Sequence, residues 1–411
     1  MRVAFLTPEY VTESNFDGGL ANYLHRLARG LIERGHDVEI FTISDQNGTV
    51  EHDGVMVHRV RPESKWFFRL HRFFGSDMLI TKGMILESWC LKRSFVERHA
   101  ALPFDIVQAP SFRASGLALS LCSLVPVVTR VSSHSRLWDE AYRHQRTLDH
   151  KVREWLERQT LRRSVRAYAP SKFLAGILAN ELAFRVDVVR PLFFIEERAP
   201  DYSVYDSVLR GLEYLLFVGT IGRLKGAFVL AEALTDMLPR FPEMHVALAG
   251  KELMSNGRSS VESFRERLRE FQERIHWLGS IPHAQLYPVL EKARVVVLPS
   301  LIDNLPNSCM EAIAFGRVVV ASKGVSFEEL IDDGESGFLA EPGNARALAE
   351  TVTRAWCLSQ SQRAVIGAKA RERISLLEPD KTLSALEELY HEAIADWSKR
   401  KRRRAHPILS R

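Results

Sequence analysis

The stretch that decides the fold is "PSLIDNLPNSCMEAIAFGRVVVAS", residues 299–322. It follows an apolar strand, "RVVVLPS", and leads into another, "VVVAS". Between them Asn304, Pro306 and Asn307 supply cap and first-turn chemistry for a helix starting near Asn307, whose apolar face includes Met310, Ile313 and Ala314. The first amides of such a helix have no intrahelical acceptor, and the helix dipole adds to their pull on an anion such as a phosphate. Asp303 and Glu311 flank this start, one in the loop and one about a turn inside the helix. Spacing alone leaves two readings open: acids that accept hydrogen bonds from sugar hydroxyls, or a turn cap and a solvated helix residue.

The same strand–helix alternation runs in both directions from this stretch. Upstream come "EYLLFVG", the helical "GAFVLAEALTDML", "MHVALAG", a polar helix through "SFRERLREFQERI", "IHWLG" and the helical "HAQLYPVLEKA". The first half repeats the pattern: "RVAFLT", a helix over "LANYLHRLARGLIERGH", "DVEIFTI", "DIVQA", "PVVTRV", and "RAYAP" opening into the helix "SKFLAGILANEL" with Ser171 as its cap. Alternation of this kind predicts parallel sheets that bind ligands at the carboxyl ends of their strands. An irregular stretch at 195–210 marks the boundary, giving expected domains at 1–195 and 196–378, a helix at 379–398 and a basic tail at 399–411. The ligand cleft is expected between the two halves.

Composition agrees with two soluble domains: 411 residues, 46.8 kDa, 46% hydrophobic and 26% charged. A net charge of +5 is too small, without a basic stripe or recognition module, to indicate nucleic acid. Cys90, Cys122, Cys309 and Cys357 form no CxxC and no zinc spacing, so a reducing compartment and no metal are expected. The start "MRVAFLTPEY" turns polar too early for a signal peptide, and "SGLALSLCSLVPVV" is too short and too interrupted to span a membrane. A cytoplasmic protein is expected. An anionic membrane surface, at the inner membrane face, stays open as a partner because "SKWFFRLHRFFGSDM" interleaves Trp66, Phe67, Phe68, Phe73 and Phe74 with Lys65, Arg69 and Arg72. The same aromatics could equally be buried in a loop.

The 299–322 stretch resembles the donor-site signature of the family 4 nucleotide-sugar glycosyltransferases, in an Asp-Asn-Leu-Pro variant. The family's Glu-x7-Glu pair is here Asp303 and Glu311, and the resemblance implies that Glu311 binds ribose hydroxyls and Asp303 the donor sugar. Asn304 and Pro306 stand where the family often has glycines, so backbone contacts are expected from Leu305, Asn307 and Ser308. "FVGTIGRLKGAFVLAEAL" resembles a second family segment, with Gly219, Lys225 and Gly226 in register and Thr220 in the usual arginine place. Lys225, with Arg223 supplying the displaced charge, is then expected to stabilise a departing nucleoside diphosphate without a metal. "TPEYVTESNFDGGLANYL" resembles the family's N-terminal glycine-rich loop, placing Gly18 and Gly19 near the diphosphate. "PVVTRVSSHSRL" aligns with a segment where many members carry a histidine near the sugar; Ser132 falls nearest in register and His134 is the candidate. "GVSFEELIDDGESGFLAEPGNARALAETV" resembles the closing segment, and no catalysis is assigned to its Glu328, Glu329, Asp332 or Asp333.

The resemblance implies a GT-B architecture, two Rossmann-like domains facing each other across a cleft, with the helix "TLSALEELYHEAIADW" crossing back so that Leu386, Leu389, Tyr390, Ala393, Ile394 and Trp397 are buried. It implies a hexosyltransferase that moves a sugar with retained configuration from a nucleoside diphosphate sugar, UDP favoured over GDP, to a hydroxyl of a glycan, glycolipid or small molecule, as in polysaccharide biosynthesis. The nucleotide sugar is a co-substrate, and no other cofactor is expected. A sugar-nucleotide epimerase or phosphorylase of the same fold, and a GT-B protein that only binds its ligand, are the alternatives.

Overall fold

A computed structural model describes the chain except for residues 15–18, 63–77, 133, 143–144, 196–198, 256 and 406–411. The chain forms two compact units: Met1–Asp139, His144–Leu192 and Pro379–Arg411 make the first, and Glu140–Arg143 with Phe193–Glu378 the second.

The first unit is built on eight strands: β1 (Arg2–Thr7), β2 (Asp37–Ile43), β3 (Gly48–His52), β4 (Val55–Val60), β5 (Ile106–Pro110), β6 (Val127–Arg130), β7 (Arg166–Ala169) and β8 (Asp187–Val188), in the order β3-β4-β2-β1-β5-β6-β7-β8. Every pairing is parallel except the β3–β4 hairpin, which turns at Asp53-Gly54 with φ of 48° and 76°. That hairpin and the helix Leu79–Ala101 were not anticipated from the sequence. The helix escapes a periodicity reading because polar residues lie buried in it: Thr81 donates its amide and hydroxyl to Asp149, and Ser88 donates to the Ser115 carbonyl. The stretch "VDVVRPLFF" supplies the two-residue β8 and no other strand.

The second unit holds β9 (Glu213–Val218), β10 (Met244–Ala249), a small hairpin of β11 (Met254–Ser255) and β12 (Arg258–Ser259), then β13 (Ile275–Gly279), β14 (Val295–Leu298), β15 (Val319–Ser322) and β16 (Phe338–Ala340). Its main sheet is parallel throughout, in the order β13-β10-β9-β14-β15-β16. Leu215, Phe217, Val295 and Val297 enter one core while Tyr214, Leu216 and Val296 enter another. Strands buried on both faces need continuous apolar runs, which is what these sequences supply. The polar helix expected through residue 275 breaks instead at Leu268, into Ser260–Arg267 and a 3-10 segment, Arg269–Arg274.

The C-terminal helix, Pro379–Ala405, belongs to the first unit. Leu383, Leu386, Leu389, Tyr390 and Ala393 are buried beside Phe5, Leu27 and Leu31, with Ile394 and Trp397 packed against the same cluster. Tyr390 and Tyr168 both donate to Gln108 Oε1, at 2.6 and 2.8 Å, which ties the helix to the sheet interior. Arg34 donates to Asp380 and Glu387, and Arg166 to Asp396. The helix continues through Lys399–Arg402 to Ala405, so the first part of the expected tail is helical; residues 406–411 lie outside the described residues. Among the described residues no helix is long and apolar enough to cross a membrane.

Because Leu386 is fully buried under this helix, Leu386→Ala is expected to destabilise the first unit by about 2–5 kcal/mol. Urea unfolding followed by far-UV circular dichroism measures it.

Candidate functional site

In the second sheet the strand order reverses between β9 and β14, since the chain builds outward through β10 and β13 and then returns to the other side of β9. Open parallel sheets bind ligands at the carboxyl ends of the strands flanking such a reversal. The loops that leave β9 and β14 there carry Lys225 and Asp303.

Backbone crossings fix both loops. Gly219 has φ 141° and Gly250 φ 146°, and a Cβ on Gly250 would lie 2.0 Å from the Gly219 carbonyl oxygen. Gly226 has φ 73°, and a Cβ there would lie 1.8 Å from the Pro299 carbonyl oxygen, so only glycine fits. The Leu301 amide donates to the Leu224 carbonyl at 2.7 Å, joining the loops directly.

Lys225 Nζ consequently donates to Asp303 Oδ2 at 2.7 Å. The same oxygen accepts from Ser300 Oγ at 2.8 Å, and Oδ1 accepts from the Asn304 amide at 3.0 Å. Lys225 keeps about a third of its side chain exposed while Asp303 is nearly covered. Leu305 and Ser326 are both held at positive φ, 50° and 85°, and the Leu305 amide donates to Ser326 Oγ at 2.9 Å. The donor expected at Leu305 is therefore engaged within the protein, and the amides left at the helix start are those of Asn307 and Ser308. The helix runs Asn307–Ala314 behind Pro306, with no side-chain cap bond.

Glu311 is buried rather than solvated: its side chain is 4% exposed, with His283 Nε2 3.4 Å from Oε1. The His283 ring stacks on Tyr287 at 5.3 Å. Sequence reasoning missed His283, whose position at the start of the helix His283–Lys292 was its only signal. Burial, with Asp303 nearby, pushes the Cys309 thiol far up, so it stays protonated.

The remaining expected residues lie partly in the second unit and partly in the first. Thr220 is half-buried in the loop after β9, and Arg223 Nε donates to the Ala141 carbonyl at 2.9 Å. Gly19 begins the helix Gly19–Glu33, with open space around its Cα; Gly18 lies outside the described residues, as do Lys65, Trp66, Phe67, Phe68, Arg69, Arg72, Phe73 and Phe74. His134 is buried in the first unit, where Nδ1 accepts from the Leu137 amide at 3.3 Å and Nε2 meets Glu181 at 3.2 Å. Through Nδ1 it caps the start of the helix Ser135–Tyr142. The Ser132 amide donates to Ser111 Oγ at 3.2 Å. In the closing segment Asp332 pairs with Arg373, and Asp333 accepts from the Leu339 amide.

Comparison with known proteins agrees with this geometry. Residues 213–357 match the family profile described as glycosyl transferases group 1, and residues 18–192 match the glycosyl transferase 4-like domain. The chain belongs to the family 4 glycosyltransferases of GT-B fold and is a glycosyltransferase. It is 25% identical over 392 residues to the D-inositol 3-phosphate glycosyltransferase of Pseudarthrobacter chlorophenolicus, covering 92% of this chain and 91% of that protein. The enzyme of the same name from Corynebacterium kroppenstedtii is 29% identical over 184 residues, so the chain spans less than half of that relative, 40%. Among solved structures, sucrose-phosphate synthase from Thermosynechococcus elongatus superposes with a TM-score of 0.76 at 19% identity, covering 96% of this chain and 99% of that one. Anabaena HepE in complex with UDP and glucose gives 0.67 at 19%, covering 95% and 100%.

Two tests follow from the geometry. Gly226→Ala would force a Cβ into the Pro299 carbonyl; it is expected to cost about 3 kcal/mol in the second unit, measured by urea unfolding. In the first unit, burial pushes the Glu157 carboxyl from 4.5 up to about 7, although Ser135 and the Arg113 amide donate to it. A carboxyl whose folded pKa is raised contributes stability that is complete below pH 4.5 and lost as pH rises through about 7. Glu157→Gln is therefore expected to flatten the fall in urea midpoint between pH 5 and 8.

Proposed function

We propose that the chain transfers a hexose from a nucleoside diphosphate sugar, UDP favoured, to a hydroxyl acceptor with retention of configuration. The observation that carries this is the meeting of Lys225, Asp303 and the start of the helix Asn307–Ala314 at the strand-order reversal of the second sheet. A departing diphosphate develops negative charge, which Lys225 and the Asn307 and Ser308 amides can stabilise without a metal. Asp303, anchored by Ser300 and the Asn304 amide, accepts from donor-sugar hydroxyls. Buried Glu311 accepts from the ribose hydroxyls. The leaving phosphate oxygen takes the acceptor proton as the acceptor oxygen attacks from the same face; a trapped glycosyl-enzyme intermediate would overturn this step. The UDP in the HepE structures supports uridine, and the inositol 3-phosphate in the relatives' name makes that phosphorylated polyol the first acceptor to try.

Thermal shift with UDP, GDP, ADP and their sugars tests the donor site, because a ligand that binds only the native state raises apparent stability. A shift with UDP or UDP-sugar is expected, lost in Glu311→Ala and Lys225→Ala. Nucleotide release in the presence of acceptor should fall on the order of a hundredfold or more in Lys225→Ala. Binding without release under any acceptor would favour a protein that only holds its ligand, and turnover with phosphate or with no acceptor would favour a phosphorylase or epimerase.

A further inference from the structure

The first unit brings together residues from two separate elements: His25 on the helix Gly19–Glu33, and His52 and Asp53 at the tip of the β3–β4 hairpin. One ligating atom of each lies within 4.8 Å of the others. His25 Nε2 is 3.2 Å from Asp53 Oδ2, and His52 Nε2 is 3.9 Å from the same oxygen. The two imidazole rings are 5.3 Å apart, centre to centre. Zinc bonds of about 2.1 Å in tetrahedral geometry hold ligand atoms about 3.4 Å apart, so small side-chain rotations bring these three onto one ion.

Two further features favour coordination over a chance ion pair. Tyr10, fully buried, places its hydroxyl 3.1 Å from His25 Nδ1, which orients the ring with Nε2 towards Asp53. A hydrogen bond on the second ring nitrogen is the usual way a metal-bound histidine is held. The Asp53-Gly54 turn, with φ of 48° and 76°, fixes His52 and Asp53 side by side at a half-exposed rim that a hydrated ion can reach. Two imidazoles and a carboxylate form a nitrogen–oxygen set that suits zinc, cobalt or copper better than magnesium or calcium.

We propose that His25, His52 and Asp53 bind a divalent transition-metal ion of the zinc class, with solvent in the fourth position and Tyr10 as the positioning residue for His25. The ion staples the first helix to the β3–β4 hairpin. Its role is structural, and the expectation of no metal, which rested on cysteine spacing and the metal-free departure chemistry, did not address it.

The test uses the full chain stripped with a chelator and titrated with Co2+ for its visible d–d absorption, then with Zn2+ in thermal shift. A saturable site with a cobalt band is expected, together with a rise of about 3 °C in apparent Tm at tenfold excess over Kd. His52→Ala and Asp53→Asn should abolish both; asparagine tolerates the positive φ, so the turn survives that change. Tyr10→Phe should keep the band and weaken binding about tenfold. His245→Ala, which breaks a second close histidine pair among the described residues, His245 and His276, 3.0 Å apart on the second sheet, should leave binding intact. Absence of a saturable band, binding that survives in His52→Ala and Asp53→Asn, or binding lost in His245→Ala would each overturn the proposal. None of these results bears on the nucleotide site, so the two readings fail separately.

Discussion

The candidate site depends on one backbone crossing, Gly226 against the Pro299 carbonyl. A Cβ at that point would sit 1.8 Å from oxygen, well inside any allowed contact. Removing the side chain lets the loop after β9 lie on the loop after β14, and the Leu301–Leu224 hydrogen bond then fixes their register. Lys225, adjacent to the crossing, has its ammonium delivered to Asp303 by that approach. The Gly219–Gly250 crossing does the same one strand further out, holding the start of the β9 loop against the end of β10. Glycine is used here for space as much as for positive φ.

The first unit depends instead on a segment contributed from the far end of the chain. Gln108, in the middle of β5, accepts from Tyr168 on β7 and from Tyr390 on the C-terminal helix through a single amide oxygen. Tyr168 also meets Tyr23 on the first helix, at 3.0 Å. Three tyrosines and a glutamine thus join the sheet to the helices on that face, inside a shell of Val3, Phe5, Leu386 and Leu389. Burial raises the Tyr168 and Tyr390 hydroxyls far above their ordinary range, so they remain protonated donors. The apolar face between residues 383 and 397 has no other surface in its own stretch of sequence to cover it, and docking on the first sheet is how it is buried.

What could be read in advance follows from which signals are local. Apolar runs such as "RVAFLT" and "EYLLFV" disclosed β1 and β9 because a strand covered on both faces must be apolar throughout. Ser171 disclosed its helix start because a cap is a local hydrogen bond, here to the Leu174 amide. The helix Leu79–Ala101 stayed hidden because its buried face carries Thr81, Lys82 and Ser88; Asp149 partners Thr81 and Ala118 partners Ser88 from elsewhere in the chain. The Asp53-Gly54 turn was a local signal that went unused. In the candidate site, one motif singles out Asp303 and Glu311, whereas the partnership of Glu311 with His283 and the capture of the Leu305 amide by Ser326 depend on tertiary contacts. The contact of His134 with Glu181 likewise depends on the tertiary fold.

The Lys225–Asp303 pair also bears on how the proposed site would accept a diphosphate. An ion pair with one partner a third exposed contributes on the order of 1 kcal/mol or less, because water competes for the ammonium. A diphosphate carries more charge than a carboxylate, so exchanging Asp303 for phosphate oxygens costs the lysine little. Asp303 does not drift when the lysine turns away, since Ser300 Oγ and the Asn304 amide hold its two oxygens separately. Lys225 can move while its partner stays fixed. That asymmetry comes from placing three anchors on Asp303 and one on Lys225, and it is what the proposed function asks of the pair: one group to follow a leaving anion and one to hold a sugar still.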